Sequence, residues 1–348
     1  MEAMKAIKDS FQHASITLLA AVLVFTCCGC GAAGGGGGNP TPSAAHPEGA
    51  ASSGKAGSGA PIAPLQSGEA GLTFLFFSDT QADPEAGSYQ SVGERIAEGV
   101  SIANKQNLGL VIFGGDTVND GGDEAEWGAF WREAGAPLAG LPIAAVAGNH
   151  DSHAMLAEQF DYPETAPAGR GDGFFYSFDM GPVHFIMLDS NIMGAARQAD
   201  QDWLREDLES VGARKAGWRI AVMHHPLWPP VANPKDDARA KAMREHFLPV
   251  LEAHGVELVL CGHQHIYTRS APMRGENVSA DGGGIIQIMA ASGDKQAYFL
   301  ENGSFIEAAA DSPNYLLITA DSEKLGITAY NADNVVVDSC VLTKAAGG

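Results

Sequence analysis

Basic residues are scarce in this chain: 21 Lys and Arg stand against 42 Asp and Glu, a formal charge of −21. Binding to DNA or RNA draws on clustered cations, so no nucleic-acid partner is expected. The acidity keeps the protein soluble, and a bound dication would still reverse the local field for an anionic ligand. Cysteine is scarce too. Of five, three stand close together as Cys27, Cys28 and Cys30, which leaves only Cys261 and Cys340 for the rest of the chain. Cys261 ends the apolar run 256–260, where a buried thiol fits better than half of a cross-link, so no disulfide is expected.

The apolar run at 16–25 is too short to cross a bilayer as a helix, but it follows Lys5 and Lys8 as the core of a secretory signal does. Gly29-Cys30 is the best local match to a bacterial lipoprotein signal, in which the Cys is lipidated and becomes the mature N-terminus. Cys27 stands where such signals usually carry Leu. Residues 1–30 are therefore expected to be a signal, either of the lipoprotein type or cut to free a soluble protein. The location that follows is exported, at the bacterial cell envelope or surface, with a membrane contact through a lipid anchor at Cys30. Residues 31–70 are Gly, Ala, Ser and Pro with almost no large apolar side chain, and 34–38 are unbroken Gly. Such a stretch cannot offset its ordering entropy and is expected to be a disordered tether. A Gly-rich coil of that length reaches on the order of 35 Å.

From residue 71 the pattern changes. Residues 72–77, 108–113 and 143–147 are apolar runs expected as buried strands. Between them Val92, Ile96, Val100 and Ala103 recur at helical spacing, and Trp127, Phe130 and Trp131 mark a helix over 124–134. This alternation predicts parallel pairing with right-handed crossovers. A hairpin is expected over 174–188, a helix over 198–211, a strand over 219–223, a surface loop over 229–237 and a helix over 238–254. A strand over 256–260 follows, then short strands at 285–289, 315–320, 325–330 and 335–337. The class expected is α/β: two packed mixed β-sheets flanked by helices, in one domain over 71–345.

Five of these runs lead into residues that can bind a metal: Ser78-Asp79-Thr80-Gln81, Gly115-Asp116, Gly148-Asn149-His150-Asp151, His224-His225-Pro226 and Gly262-His263-Gln264-His265. Ligands scattered this widely cooperate only if sheets deliver them to one edge, which strands ending in loops would do. The pattern predicts a two-metal hydrolase. In that order the blocks resemble the calcineurin-like metallophosphoesterases, whose series is Asp-x-His, Gly-Asp, Gly-Asn-His, a lone His and Gly-His-x-His. Gln81 departs from it, standing where most members carry His. The flanks Met223-His224-His225-Pro226-Leu227-Trp228 and Gly262-His263-Gln264-His265-Ile266-Tyr267-Thr268-Arg269 are most similar to the purple acid phosphatase branch.

The resemblance implies two cations bridged by Asp116. The first would take Asp79, Asp116 and His265, with Gln81 either a weak fourth ligand or a bystander turned to solvent. The second would take Asp116, Asn149, His224 and His263. Imidazole, carboxylate and amide donors without thiolate suit Fe, Mn, Zn or Ni, as divalent or mixed-valence ions. A hydroxide between them would attack the phosphorus of a small phosphate ester, and His150, next to the ligand Asn149, would protonate the leaving oxygen. His225 either reaches the substrate or is a structural neighbour of Pro226. Asn149 and Arg269 are further substrate contacts, with Tyr267 and Trp228 at the pocket mouth. Asn119 replaces the Tyr of purple acid phosphatases and the Asp of protein phosphatases, so neither a tyrosinate colour nor an Asp–His pair is expected. The rival reading is a surface lipoprotein that uses the same fold to bind a ligand or partner with little turnover.

Overall fold

The structure, a computed structural model, describes residues 71–82, 87–160, 175–193, 198–295 and 300–344 apart from 302 and 312. The expected signal over 1–30, the tether over 31–70 and the lipid-bearing Cys30 lie outside the described residues. Among the described residues no helix is long and apolar enough to cross a membrane.

β1 (Leu72–Phe77) is buried along its whole length, as an unbroken apolar run requires. α1 (Gln90–Ile102) turns Val92, Ile96 and Val100 inward and returns the chain to β2 (Leu108–Phe113), parallel to β1. α2 (Glu124–Leu138) is capped by Asp123, whose side chain accepts from the Ala125 N–H, and leads to β3 (Ile143–Ala145), parallel to β2. α3 (His153–Gln159) is a short helix without a strong periodic signal. β4 (Tyr176–Met180) and β5 (Val183–Leu188) form the expected hairpin, and α4 (Ser190–Met193) follows.

Two expected helices differ in extent. The first ends early as α5 (Gln198–Leu208), and an additional helix, α6 (Val211–Lys215), starts where the Ser210 side chain accepts from the Ala213 N–H. β6 (Trp218–Met223) comes next. The second is α7 (Pro234–His246) and α8 (Leu248–Ala253), divided at Phe247 because Pro249 has no N–H to continue the ladder. α7 also begins inside the expected surface loop, with Asn233 as its cap, and Pro229 and Pro230 ahead of it are buried. The chain ends in β7 (Leu258–Cys261), β8 (Tyr267–Ser270), β9 (Met273–Arg274), β10 (Asn277–Val278), β11 (Ile286–Met289), β12 (Ile306–Ala310), β13 (Asn314–Ala320), β14 (Lys324–Asn331) and β15 (Val336–Thr343).

The strands form two large mixed sheets, ordered β15-β14-β13-β1-β2-β3 and β12-β8-β11-β7-β6-β5-β4. Their inner faces share one core, in which Phe74, Phe76, Leu110 and Ile112 meet Phe185, Met187, Ile220, Val222 and Leu260. Phe74 meets Phe185 edge to face at 5.2 Å. Burying each such side chain contributes about 1.5–3 kcal/mol. The outer face of the second sheet packs Ile186, Ala221 and Val259 against Leu204, Leu248 and Leu251 of the helices. This is the expected two-sheet architecture. Cys261 and Cys340 are free thiols, Cys261 fully buried.

Within each sheet one block runs parallel: β1, β2 and β3 in the first, β5, β6, β7 and β11 in the second. Main-chain bonds tie their C-terminal ends together, from Asp79 N–H to Gly115, Gly262 N–H to His224 and Gly293 N–H to Asp79. All the loops that matter below leave from this edge.

His184 on β5 gives one pH-dependent prediction away from that edge. Its Nδ1 lies 2.7 Å from Asp179 Oδ1 and its Nε2 3.0 Å from Asp207 Oδ2. Burial alone would lower its pKa, but Asp207 and Asp179 raise it above the ordinary value. The stability it contributes is therefore full below the unfolded value of about 6.5 and is lost as pH rises through the raised folded value. His184→Gln is expected to lower the melting temperature most at acid pH and least at alkaline pH; an equal loss at both would exclude the ion pairs as the cause.

Candidate metal centre

At the end of β1 the backbone of Asp79 turns into the left-handed region, with φ 49°. Asp116, His263 and His265 do the same, at 51°, 77° and 43°. The other described non-glycine residues with positive φ are Asn104 and Asn334, a residue type that tolerates it. Elsewhere such backbone costs on the order of 1–3 kcal/mol per residue and persists only where the surroundings enforce it. Four such residues at one edge mean that the loops are shaped to present side chains. Two glycines make room for them: a Cβ on Gly262 would collide with Ser78 Oγ and Asp79 Oδ2, and one on Gly148 with Asp116 Oδ1.

Asp79 is fully buried. Its Oδ2 accepts from Ser78 Oγ and from the His263 N–H, both at 2.8 Å. Its Oδ1 is buried without a hydrogen bond of acceptable geometry and lies 3.4 Å from His265 Nε2. Asp116 Oδ1 accepts from the His150 N–H at 2.8 Å, and Oδ2 lies 3.3 Å from His224 Nε2. The Gly114 carbonyl, 2.9 Å from His224 Nδ1, takes the proton on that nitrogen. Nε2 then faces Asp116 Oδ2 and Asn149 Oδ1, the latter also 3.3 Å away. A nitrogen facing two oxygens beside an unpartnered buried carboxylate oxygen is an arrangement that a cation completes.

Asp79, Asp116 and His224 each offer a donor atom, all within 4.8 Å of one another. The charges agree with a cation here. Burial would raise both carboxyls, yet His224 and His265 hold Asp79 below the usual carboxylate range, and His224 does the same for Asp116. Burial would lower His224, yet Asp116 and Asp79 push it up to about 10. The pair of buried carboxylates demands positive charge between them, as a proton or as metal. His263 sits with its ring 5.2 Å from that of His224. Its Nε2 lies 2.9 Å from Asp236 Oδ1, which leaves Nδ1 as the donor and makes Asp236 the residue that sets the ring's orientation.

His150 Nδ1 lies 2.7 Å from the Asn119 carbonyl. Asn119 supplies neither phenol nor carboxylate, so its main chain holds the imidazole instead. Glu126 in turn grips Asn119 through its N–H at 2.9 Å and its Nδ2 at 3.0 Å. Gln81 is buried at the same edge, and its Oε1 accepts from Lys295 Nζ at 3.2 Å while its Nε2 has no partner. The alternative of a Gln81 turned to solvent is excluded, since the residue is fully buried. His225 Nδ1 lies 2.8 Å from Ser190 Oγ and its Nε2 2.6 Å from Arg239 Nη1. Burial, then the charges of His224, His263 and Arg239, hold His225 neutral by lowering its pKa far below the ordinary value.

Arg269 is not brought to this group, which corrects its expected substrate contact. It pairs with Asp338 on β15 at 2.6 Å and with Glu307 on β12. β15 lies three strands from β1 in its sheet, about 14 Å at the usual spacing. Tyr267 donates to the same Asp338, and Trp228 donates to the Gly275 carbonyl from a buried position, so neither opens a pocket mouth.

Sequence reasoning missed Asp236 and Arg239, which come from α7 rather than from a strand end. Asp151 stood in a quoted motif without a role. Its carboxylate accepts from the Asp116, Thr117 and Gly148 N–H groups, and burial with the Asp116 charge raises it to about 7. Lys295 follows β11 as the other blocks follow their strands, and that signal was available.

The family model of calcineurin-like phosphoesterases matches residues 72–267. Purple acid phosphatase 23 of Arabidopsis thaliana is 29% identical over 152 residues, 41% of this chain and 32% of that protein. The chain spans about a third of the length of such curated relatives. Among solved structures, the purple acid phosphatase PPD1 from yellow lupin seeds gives a TM-score of 0.62 at 18% identity, covering 79% of this chain and 54% of that one. GAP50, described as the anchor in the inner membrane complex of Plasmodium, gives 0.58 at 14% identity over 80% and 90%. At these identities the structural likeness shows a shared fold.

Proposed function

The chain belongs to the calcineurin-like phosphoesterases, and from that membership we propose that it hydrolyses phosphate esters at a two-metal centre. The observation that carries this reading is the buried Asp79, Asp116 and His224 group, with its unpartnered Asp79 Oδ1, at the ends of parallel strands from both sheets. The donors fit two cations. Asp79, Asp116 and His265, with Gln81 beside them, would hold one, and Asp116, Asn149, His224 and His263 the other. Bound there, two cations would make water a strong nucleophile near neutral pH and take up charge on the phosphoryl oxygens. Nitrogen and oxygen donors admit Fe, Mn, Zn or Ni.

The chain's own residues do the rest. Asp236 and Gly114 fix the rings of His263 and His224, so the donor atoms are oriented before any ion arrives. Asn119 holds His150 through Nδ1, which leaves Nε2 to give a proton to the leaving oxygen. Arg239 and the neutral His225 lie beside the second set of ligands, where an anionic phosphoryl group would rest. The test joins metal analysis to assays on p-nitrophenyl phosphate and bis(p-nitrophenyl) phosphate. Turnover of either ester that a chelator removes and added metal restores is the expected result. A protein that holds its metals and turns over neither ester would sink the hydrolase reading in favour of a binding role.

A further inference from the structure

We propose that Lys295 contacts the leaving group, and that the site thereby favours phosphate esters whose leaving group carries an anionic group next to the ester oxygen. This rests on the hydrolase reading above. Lys295 enters from the loop after β11, and the clamping of that loop fixes where its side chain starts. The Ser292 N–H donates to the Ser78 carbonyl at 2.7 Å, Gly293 to Asp79 at 2.8 Å and Asp294 to Gln81 at 3.1 Å. The Asp294 side chain pairs with Arg95 and Ser91 and so is not available to its neighbour. Lys295 Nζ lies 3.2 Å from Gln81 Oε1 and 3.4 Å from His150 Nε2, and among the described residues it pairs with no carboxylate. In a chain with 42 acidic and 21 basic residues, a half-buried ammonium without a counter-ion at the active edge is placed for an anion from outside.

Its position selects which part of the substrate that anion belongs to. As water adds to phosphorus and the P–O bond breaks, the electron pair goes to the leaving oxygen, His150 in its doubly protonated form supplies the proton from Nε2, and the proton that the water loses passes to solvent, from which the imidazole is reprotonated. That oxygen must come within about 2.6–3.2 Å of Nε2, which places the next atoms of the leaving group beside Lys295 Nζ. Among the described residues Arg239 also forms no ion pair with a carboxylate, and it lies by His225 and the second set of ligands. The two cations thus divide the site, Arg239 toward the transferred phosphoryl group and Lys295 toward what leaves.

The test compares two alkyl esters that differ in one group. In 2-phosphoglycerate a carboxylate stands beside the ester carbon, and in glycerol 2-phosphate a hydroxymethyl takes its place. The metal-loaded wild type is expected to prefer the carboxylate. Lys295→Met should lower the preference, the ratio of kcat/KM on 2-phosphoglycerate to that on glycerol 2-phosphate, by about 10- to 100-fold, the range of a charge-assisted hydrogen bond. Lys295→Arg should keep most of the preference, and metal content should match the wild type in both variants. Equal losses on the two esters, or a wild type without preference, would overturn the role of Lys295 and leave the hydrolase reading standing. A metal-loaded wild type that turns over no phosphate ester would overturn both. Equilibrium binding of 3-phosphonopropionate against propylphosphonate gives the same comparison without turnover, and Lys295→Met should weaken the former more than the latter.

Discussion

Asp116→Asn is expected to empty the centre of metal and to lower turnover on p-nitrophenyl phosphate by on the order of 10³-fold or more, since a two-metal site contributes several kcal/mol to the reaction. Asn is nearly isosteric, so the His150 N–H keeps an acceptor and the loop after β2 keeps its shape. What would disappear is the carboxylate charge proposed to be shared by two cations, which a neutral amide cannot replace. The fold should lose little. The Asp116 carboxyl is held below the usual carboxylate range by His224 against burial, so its charge contributes stability at neutral pH that an amide cannot, and relief of its repulsion with Asp79 offsets part of that loss. The metal-free variant should therefore melt at or below the temperature of metal-free wild type. Metal per chain, turnover and the two melting curves decide the matter together. A variant that retains two metals and works within tenfold of wild type would show that Asp116 does not bridge.

The legible part of this protein is the part governed by local pattern. An apolar run that leads straight into carboxylate, amide or imidazole residues signals a buried strand and a loop at its C-terminal end, and five such runs lead into the segments that hold Asp79, Asp116, Asn149, His150, His224, His263 and His265. Order along the chain does not tell which sheet a strand joins, and there the reading failed. Arg269 follows the last motif by only four residues, yet β8 carries it across the second sheet to meet Asp338 of β15, a partner 69 residues away. Asp236 and Arg239 come from α7, whose Pro234 start lay inside an expected loop. A helix face gives no strand-end signal, so the residues that orient His263 and flank His225 could be found only in three dimensions. Gln81 is the converse case. Its departure from the common pattern was visible, but the Lys295 that answers it lies 214 residues on.

His150→Ala is expected to lose about 10²- to 10⁴-fold in turnover on an alkyl phosphate and much less on p-nitrophenyl phosphate. An alkoxide leaves poorly and needs its proton in the transition state, whereas nitrophenolate is stable enough to leave without one. Metal content should stay unchanged. The His150 ring is tied to the Asn119 carbonyl through Nδ1, and its link to the ligand set is the main-chain N–H that Asp116 Oδ1 accepts, which Ala preserves. Glu126 should still hold Asn119, so the loop after β2 keeps its course around the missing ring. The two substrates measured on the same metal-loaded protein separate proton donation from every structural effect, because a distorted centre would slow both. Equal losses on the alkyl and nitrophenyl esters would remove His150 from the chemistry and return it to the support of Asp116.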